Sequence, residues 1–286
     1  MPNILSTVHR MMEDYQRALI SFVLLNEKSK IYEHIGTGFF CTFNNKLLLI
    51  TAAHVVDDMK LKSDAYCSIL LGDDNKGSSF FDFIPFSNLN FHKYDEFNIT
   101  YCLVDHNILY KLKETINKLP SNLNLKRTIL PLQSEPTENN KSIMEFILGF
   151  SASNNLRKSQ FQLYKRNWTN IMTSNIDNLP TEIHNLTNVI NPVFLSFNRK
   201  ENKIISDNLL DKNIEFILNL PDAGNHVDLE GMSGSPYIKI YEKDGQLCPR
   251  VSGVLVEHLR HSPANGYYLV ASPLNNLFNK LKTSSP

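Results

Sequence analysis

The segment Gly231-Met232-Ser233-Gly234-Ser235-Pro236 and, far upstream of it, Thr51-Ala52-Ala53-His54 hold the residue types that serine nucleophile chemistry needs. A serine hydroxyl is a weak nucleophile until a neighbouring base takes its proton, and the oxyanion that then develops needs donors already in place, such as backbone N–H groups. The first segment supplies both hydroxyl and donors. Glycines at 231 and 234 let the backbone turn tightly around Ser233, so that the N–H groups of Gly231 and Ser233 can converge on one oxygen. The second segment supplies the base. Lys46–Thr51 reads as a buried strand and Ala52–Val56 as a short turn at its end, which sets His54 at a rim with small alanines leaving room for the imidazole. Taken singly, each segment has a plainer reading: Ser233 as a turn serine between two strands, His54 as a histidine capping a short turn. Taken together, they favour chemistry.

With Gly36-Thr37-Gly38-Phe39-Phe40 ahead of them, these pieces resemble the trypsin-like, chymotrypsin-fold serine peptidases. Within that family they look like the bacterial branch, which carries a glycine-threonine-glycine strand, a threonine-alanine-alanine-histidine turn and a glycine-methionine-serine-glycine segment. Order and spacing fit over roughly residues 18 to 275. The resemblance implies an all-β fold of two packed six-stranded antiparallel β-barrels, with an N-terminal helix and a short C-terminal helix. It implies a serine endopeptidase in which Ser233 is the nucleophile, His54 the general base, and the Gly231 and Ser233 N–H groups the oxyanion hole, with no cofactor and no metal.

The third member of the family's triad departs from the pattern. The family places an aspartate at the head of a strand after the histidine, and the matching stretch is Asn98-Ile99-Thr100-Tyr101-Cys102-Leu103-Val104, which puts Asn98 at the histidine-orienting position. Aspartate to asparagine in such a triad keeps the geometry but favours the wrong histidine tautomer and lowers kcat about 10⁴-fold. That loss equals roughly 5 kcal/mol of barrier. Two substitutes are available: Asn98 presenting its carbonyl oxygen to the imidazole N–H, or Asp95, three residues earlier, reaching the imidazole through a bulged loop. Asn98 as a strand initiator and Asp95 as a solvated loop carboxylate are the plain alternatives.

Other positions follow from the resemblance. Met232 stands where the digestive enzymes carry an aspartate that pairs with a newly cleaved N-terminus, so that activation switch is absent. Specificity falls to Asn225–Glu230, with Val227 at the pocket floor and Asp228 and Glu230 beside it, and to the wall strand through Val256 and Glu257. An apolar floor suits an uncharged side chain, whereas Asp228 or Glu257 suits a basic one.

Composition bounds the rest. A chain of 286 residues with 42% apolar content can bury a sizeable core, as one large domain or two of ordinary size. Lys and Arg together number 29, equal to Asp and Glu, so no global positive field attracts nucleic acid or an anionic membrane. Met1–Asp14 lacks the basic region and apolar run of a secretory signal, and the apolar stretch Ala18–Leu25 is too short to cross a bilayer. Cys41, Cys67, Cys102 and Cys248 are widely spaced without a CxxC pair, which suits a reducing cytoplasm and thiols packed as small hydrophobes. His258-Leu259-Arg260-His261 has no further ligands to complete a metal site.

The pattern along the chain predicts a helix over residues 3–15 and then strands at 18–25, 36–43, 46–51, 67–71, 80–84 and 98–104. A short helix or linker follows at Lys111–Lys118. Further strands are expected at 141–149, 160–166, 192–197, 214–219, 236–241, 251–257 and 267–271, with a closing helix at Leu274–Leu281 and an unassigned stretch over 167–191. The implied division is residues 1–125, carrying the histidine, and 126–286, carrying the serine. An α/β-hydrolase is excluded by order, since that fold needs its histidine after the serine and a Gly-x-Ser-x-Gly turn, and position 235 is serine. The expectation is a cytoplasmic, bacterial endopeptidase acting on a polypeptide substrate, with an activating or regulatory protein as a further partner. The alternative is a catalytically weakened or inactive module that retains the cleft and binds peptide by edge pairing along residues 252–257.

Overall fold

The computed structural model describes Tyr15 and residues 18–26, 31–62, 64–73, 79–105, 132–133, 144–150, 169–174, 193–196, 216–220, 231–243, 246–260 and 267–283. These residues are mostly β and form two sheets. The first holds β1 (Leu19–Asn26), β2 (Ile31–Phe43), β3 (Lys46–Ala52), β4 (Ala65–Asp73), β5 (Ser79–Pro85), β6 (Phe91–Tyr94) and β7 (Ile99–Leu103) in the order β5-β4-β1-β2-β3-β7-β6, and the two-residue β8 (Leu132–Gln133) pairs with β2. The second holds β9 (Met144–Gly149), β10 (Thr169–Ser174), β11 (Val193–Ser196), β12 (Phe216–Leu220), β13 (Pro236–Lys243), β14 (Gln246–Arg260) and β15 (Tyr267–Pro273) in the order β11-β10-β9-β13-β14-β15-β12.

Most strands lie within a few residues of where alternation and β-branched runs put them. The sheets hold eight and seven strands instead of six each, and two of their pairings, β2 with β8 and β10 with β11, are parallel. β6 and β8 were not expected: Phe91–Tyr94 shows no apolar alternation and a two-residue strand has no pattern. β10 begins two residues into the stretch that the sequence left unassigned. The expected strand at 160–166, the helix or linker at Lys111–Lys118 and all of the N-terminal helix except Tyr15 lie outside the described residues.

β3 sits at the centre of the first sheet between β2 and β7, and its last five residues, Leu48–Ala52, are all buried. That burial explains the unbroken Leu-Leu-Ile-Thr-Ala run where a half-exposed strand would alternate. A tight turn joins it to β2, with Asn44 and Asn45 at φ of 47° and 59°. Two left-handed residues in succession give a hairpin the twist its strands need, and asparagine tolerates that region best among residues with a Cβ. The expected short turn after β3 is a helix, α1 (Ala53–Lys60), whose Ala53, Val55, Val56 and Met59 are buried against the sheet.

The two sheets share one apolar core. Phe39, Ile50 and Ile99 of the first belong to the same buried cluster as Leu148, Ile238 and Val254 of the second. The closing helix, α2 (Leu274–Thr283), follows the last strand of the second sheet, lies against β14 and reaches the first sheet with its side chains. Its Leu274, Leu277 and Phe278 are buried at helical spacing, the Phe278 ring stacks on Phe43 at 4.4 Å between centroids, and Lys280 Nζ lies 4.1 Å from the Tyr94 ring centroid. Among the described residues no helix is long and apolar enough to cross a membrane.

Cys41, Cys67 and Cys102 are buried and Cys248 is partly exposed. Burial pushes the Cys41, Cys67 and Cys102 thiols up from their ordinary range, because the thiolate would lose its hydration. Iodoacetamide at neutral pH should therefore modify Cys248 first in the native protein and reach the other three only on unfolding; intact-mass spectra with and without denaturant check this. Phe278→Ala should destabilise the fold by about 3 kcal/mol through lost burial and a residual cavity, read as a lower urea midpoint.

Candidate active site

Chain order alone leaves His54 and Ser233 far apart, and the structure brings their neighbourhoods together through β2. The Thr37 N–H donates to the Ser233 carbonyl at 2.8 Å. The Thr51 hydroxyl, three residues before His54, donates to the Thr37 carbonyl at 2.7 Å. One residue of β2 therefore joins the serine loop on one side to the strand end that carries the histidine on the other. Gly234 shows how close the approach is: a Cβ there would lie 1.9 Å from Thr37 O and 2.3 Å from Thr51 Oγ1. Its φ of 89° is also one that residues with a Cβ rarely adopt, so glycine is required twice over. Gly36 has a matching role on the other face of the site, since a Cβ there would lie 2.7 Å from both methyl groups of Val55 in α1.

Of the two serines in the loop, Ser233 is half-buried and Ser235 fully buried. The Ser235 hydroxyl packs on Gly149, where a Cβ would meet it at 1.9 Å. Ser233 is thus the serine with access to solvent. Gly231 takes φ of 83°, the left-handed turn expected of it, and Met232 is fully buried.

Backbone carbonyl and amide groups hold the loop. Gly231 O accepts from the Thr37 hydroxyl at 2.9 Å and from His34 Nε2–H at 3.0 Å; Met232 O accepts from Ser235 N–H at 3.0 Å; Gly234 N–H donates to Leu255 O at 2.7 Å. The same His34 nitrogen lies 2.9 Å from Phe150 O, and the Phe150 N–H donates to the Thr37 hydroxyl at 3.1 Å. Carbonyls only accept, so His34 Nε2 carries a proton, and in the neutral ring Nδ1 accepts from the buried Ser21 hydroxyl. His34, Thr37 and Ser21 were not singled out from sequence. The one signal was the Gly36-Thr37-Gly38 motif, which marks a tight approach without saying what approaches.

Asn98 contacts His54 in two places. Its Oδ1 lies 3.4 Å from the His54 backbone N–H and its Nδ2 lies 3.4 Å from His54 Nδ1, while its own carbonyl accepts from Ala53 N–H at 2.9 Å. Asn98 therefore satisfies the first two N–H groups of α1, whose preceding residue, Ala52, offers no side-chain cap. It occupies the left-handed region, φ 52° and ψ 34°, at the end of a short 3₁₀ turn over Asp95–Phe97.

The amide orientation has a chemical consequence. In this orientation Oδ1 serves the His54 backbone N–H and Nδ2 faces the ring. Nδ2 can only donate. A neutral imidazole that accepts from Nδ2 holds its lone pair on Nδ1 and its proton on Nε2, the tautomer unable to act as a base at Nε2. The expected arrangement, with the Asn98 carbonyl oxygen receiving the imidazole N–H, differs from the one described, in which Nδ2 lies toward the ring and Oδ1 toward the backbone N–H at the start of α1. An aspartate would accept from both groups at once.

Asp95 lies elsewhere. Its exposed carboxylate pairs with Lys93 at 2.8 Å, and Lys93 also bonds Asp57 of α1 at 2.8 Å. The hydrogen bond to Asp57 and then that to Asp95 push the Lys93 ammonium up from its ordinary value. Val227, Asp228 and Glu230 lie outside the described residues. Val256 is buried in β14, and Glu257 is described in its backbone alone. The described residues contain no group of three His, Cys, Asp or Glu able to hold a metal ion.

Compared with known proteins, the chain matches no family model and no curated protein.

Because Gly234 has neither space nor a suitable φ for a Cβ, Gly234→Ala should lift the loop off Thr37. The expected cost is about 3 kcal/mol or more, from strain and the lost loop bonds, measured by thermal or urea unfolding. An unchanged midpoint would contradict the close packing of the loop on β2.

Proposed function

We propose that the chain is a serine endopeptidase of low intrinsic rate, built on the chymotrypsin plan with its two sheets as the two barrel halves. The observation that carries this reading is the docking of the Gly231–Pro236 loop on Thr37, beside the strand end that bears His54, with Asn98 on the far side of the imidazole. Ser233 Oγ attacks a peptide carbonyl as His54 takes its proton; His54 returns that proton to the leaving amine as the C–N bond breaks. Water, activated in the same way, then hydrolyses the acyl-enzyme. The Gly231 and Ser233 N–H groups hold the oxyanion. His54 must first reach the tautomer with a lone pair on Nε2, against the donor that Asn98 presents to Nδ1, and this makes the site slow.

The substrate strand docks along β14. β13 leaves β14 at Val254, and the last bonds on that edge among the described residues are Leu255 N–H to Ser235 O and Gly234 N–H to Leu255 O. The edge for an added peptide strand therefore starts at Val256, four residues further along than the segment 252–257 suggested. An activating protein that turns the Asn98 amide away from Nδ1 fits the same scheme.

One observation favours a second reading. An Nδ2 donor on Nδ1 is the arrangement of a site that no longer needs a base, and a peptide-binding module would keep the β14 edge while Ser233 becomes dispensable.

Intact-mass detection of fluorophosphonate labelling separates the two. The peptidase reading expects slow labelling of wild type, none in Ser233→Ala or His54→Ala, and an acceleration of about 10²- to 10⁴-fold in Asn98→Asp, where a carboxylate accepts from both His54 groups. Asn98→Asp should also keep or raise stability, since an acidic cap suits the start of α1. Folded wild type and Asn98→Asp that both stay unlabelled would leave the binding module standing.

A further inference from the structure

β2 carries a bulge whose effect falls on the serine loop. β1 pairs with β2 as Ser21 with Thr37, Phe22 with Gly36 and Val23 with His34, so Ile35 is an extra residue with no partner of its own in the ladder. Side chains alternate along a regular strand, so positions 34 and 37, an odd number apart, belong on opposite faces. The extra residue restores the phase and turns His34 to the side of Thr37. Both side chains then reach one atom, Gly231 O, at 3.0 Å and 2.9 Å.

We infer that the Ile35 bulge aims His34 as a positioning residue, which with Thr37 locks the peptide plane between the two oxyanion-hole donors. This rests on reading Ser233 as the reacting group. Three successive carbonyls of the loop are held: Gly231 O by His34 and Thr37, Met232 O by Ser235 N–H, and Ser233 O by Thr37 N–H. Peptide units are planar and trans, so fixing Met232 O fixes the Ser233 N–H that points away from it. The plane carrying Gly231 O links that donor to the Gly231 N–H and follows the residue with the freest dihedrals of the loop. Left unheld, it rotates about Gly231 and the two N–H groups lose their common target. Loops of this kind can be locked by a buried ion pair; here Met232 has no charge, and the lock consists of neutral hydrogen bonds from the other sheet.

His34→Phe keeps the ring volume and removes the donor, whereas His34→Gln keeps an N–H donor. Both would be made in wild type and in Asn98→Asp, with thermal midpoints recorded, and followed by amide exchange of peptides spanning 231–235 and by fluorophosphonate labelling. In His34→Phe, exchange over 231–235 should accelerate at least ~10-fold relative to peptides of β3 and β13. Labelling in the Asn98→Asp background should slow about 10²-fold, the scale of a misplaced catalytic group. His34→Gln should recover most of both. Exchange over 231–235 that is unchanged in His34→Phe, or equal effects of Phe and Gln, would overturn the lock. Exchange is independent of chemistry: if Asn98→Asp never labels, the nucleophile reading falls, while fast local exchange in His34→Phe alone still supports the lock.

Discussion

The backbone bond from Thr37 N–H to Ser233 O is the contact on which the site depends. It crosses from one sheet to the other, and the bonds from Thr51 to Thr37 and from Thr37 and His34 to Gly231 gather around it. These are polar groups inside a region where Thr37, Thr51 and Met232 are fully buried, so each unmade bond would leave an unsatisfied group in a poorly solvated interior. That penalty makes the arrangement close to all-or-none. The glycines at 36 and 234 are its steric condition, because a Cβ at either would push β2 away from α1 or from the loop.

Asn98 sits where fold and chemistry compete for the same atoms. As a cap it supplies α1 with two acceptors that the helix's own flanking residue lacks, and its left-handed backbone suits asparagine. As a histidine partner it turns a donor to the ring, since with Oδ1 directed at the backbone N–H the other end of the amide is an NH₂. A carboxylate has two equivalent acceptors and meets both demands. Folding is thus satisfied by asparagine, and in the proposed peptidase the cost is borne by the base.

Much was legible in the sequence, for identifiable reasons. β3 announced itself because a strand buried on both faces needs an uninterrupted apolar run, and α2 because Leu274, Leu277 and Phe278 repeat at helical spacing. Ser233 and His54 stood out because a glycine-bracketed serine and a strand-end histidine are unusual enough to be noticed as a pair. Asn98 was found through strand register. What stayed hidden were contacts between distant segments: β6 shows no apolar alternation, β8 is too short to show a pattern, and His34 sits in a strand where alternation gives no reason to join it with Thr37.

The sequence by itself determined the β-rich class, most strand positions, the turn chemistry of Gly231 and Gly234, and the absence of an aspartate at position 98. All of these follow from local propensity and periodicity, which involve residues close together along the chain. The tertiary structure alone decided which Asn98 atom faces His54, that Asp95 belongs to Lys93, and that a one-residue bulge at Ile35 swings His34 onto Gly231. Those outcomes turn on which donors and acceptors meet across the two sheets, and a donor's partner there is set by packing, not by its neighbours in sequence.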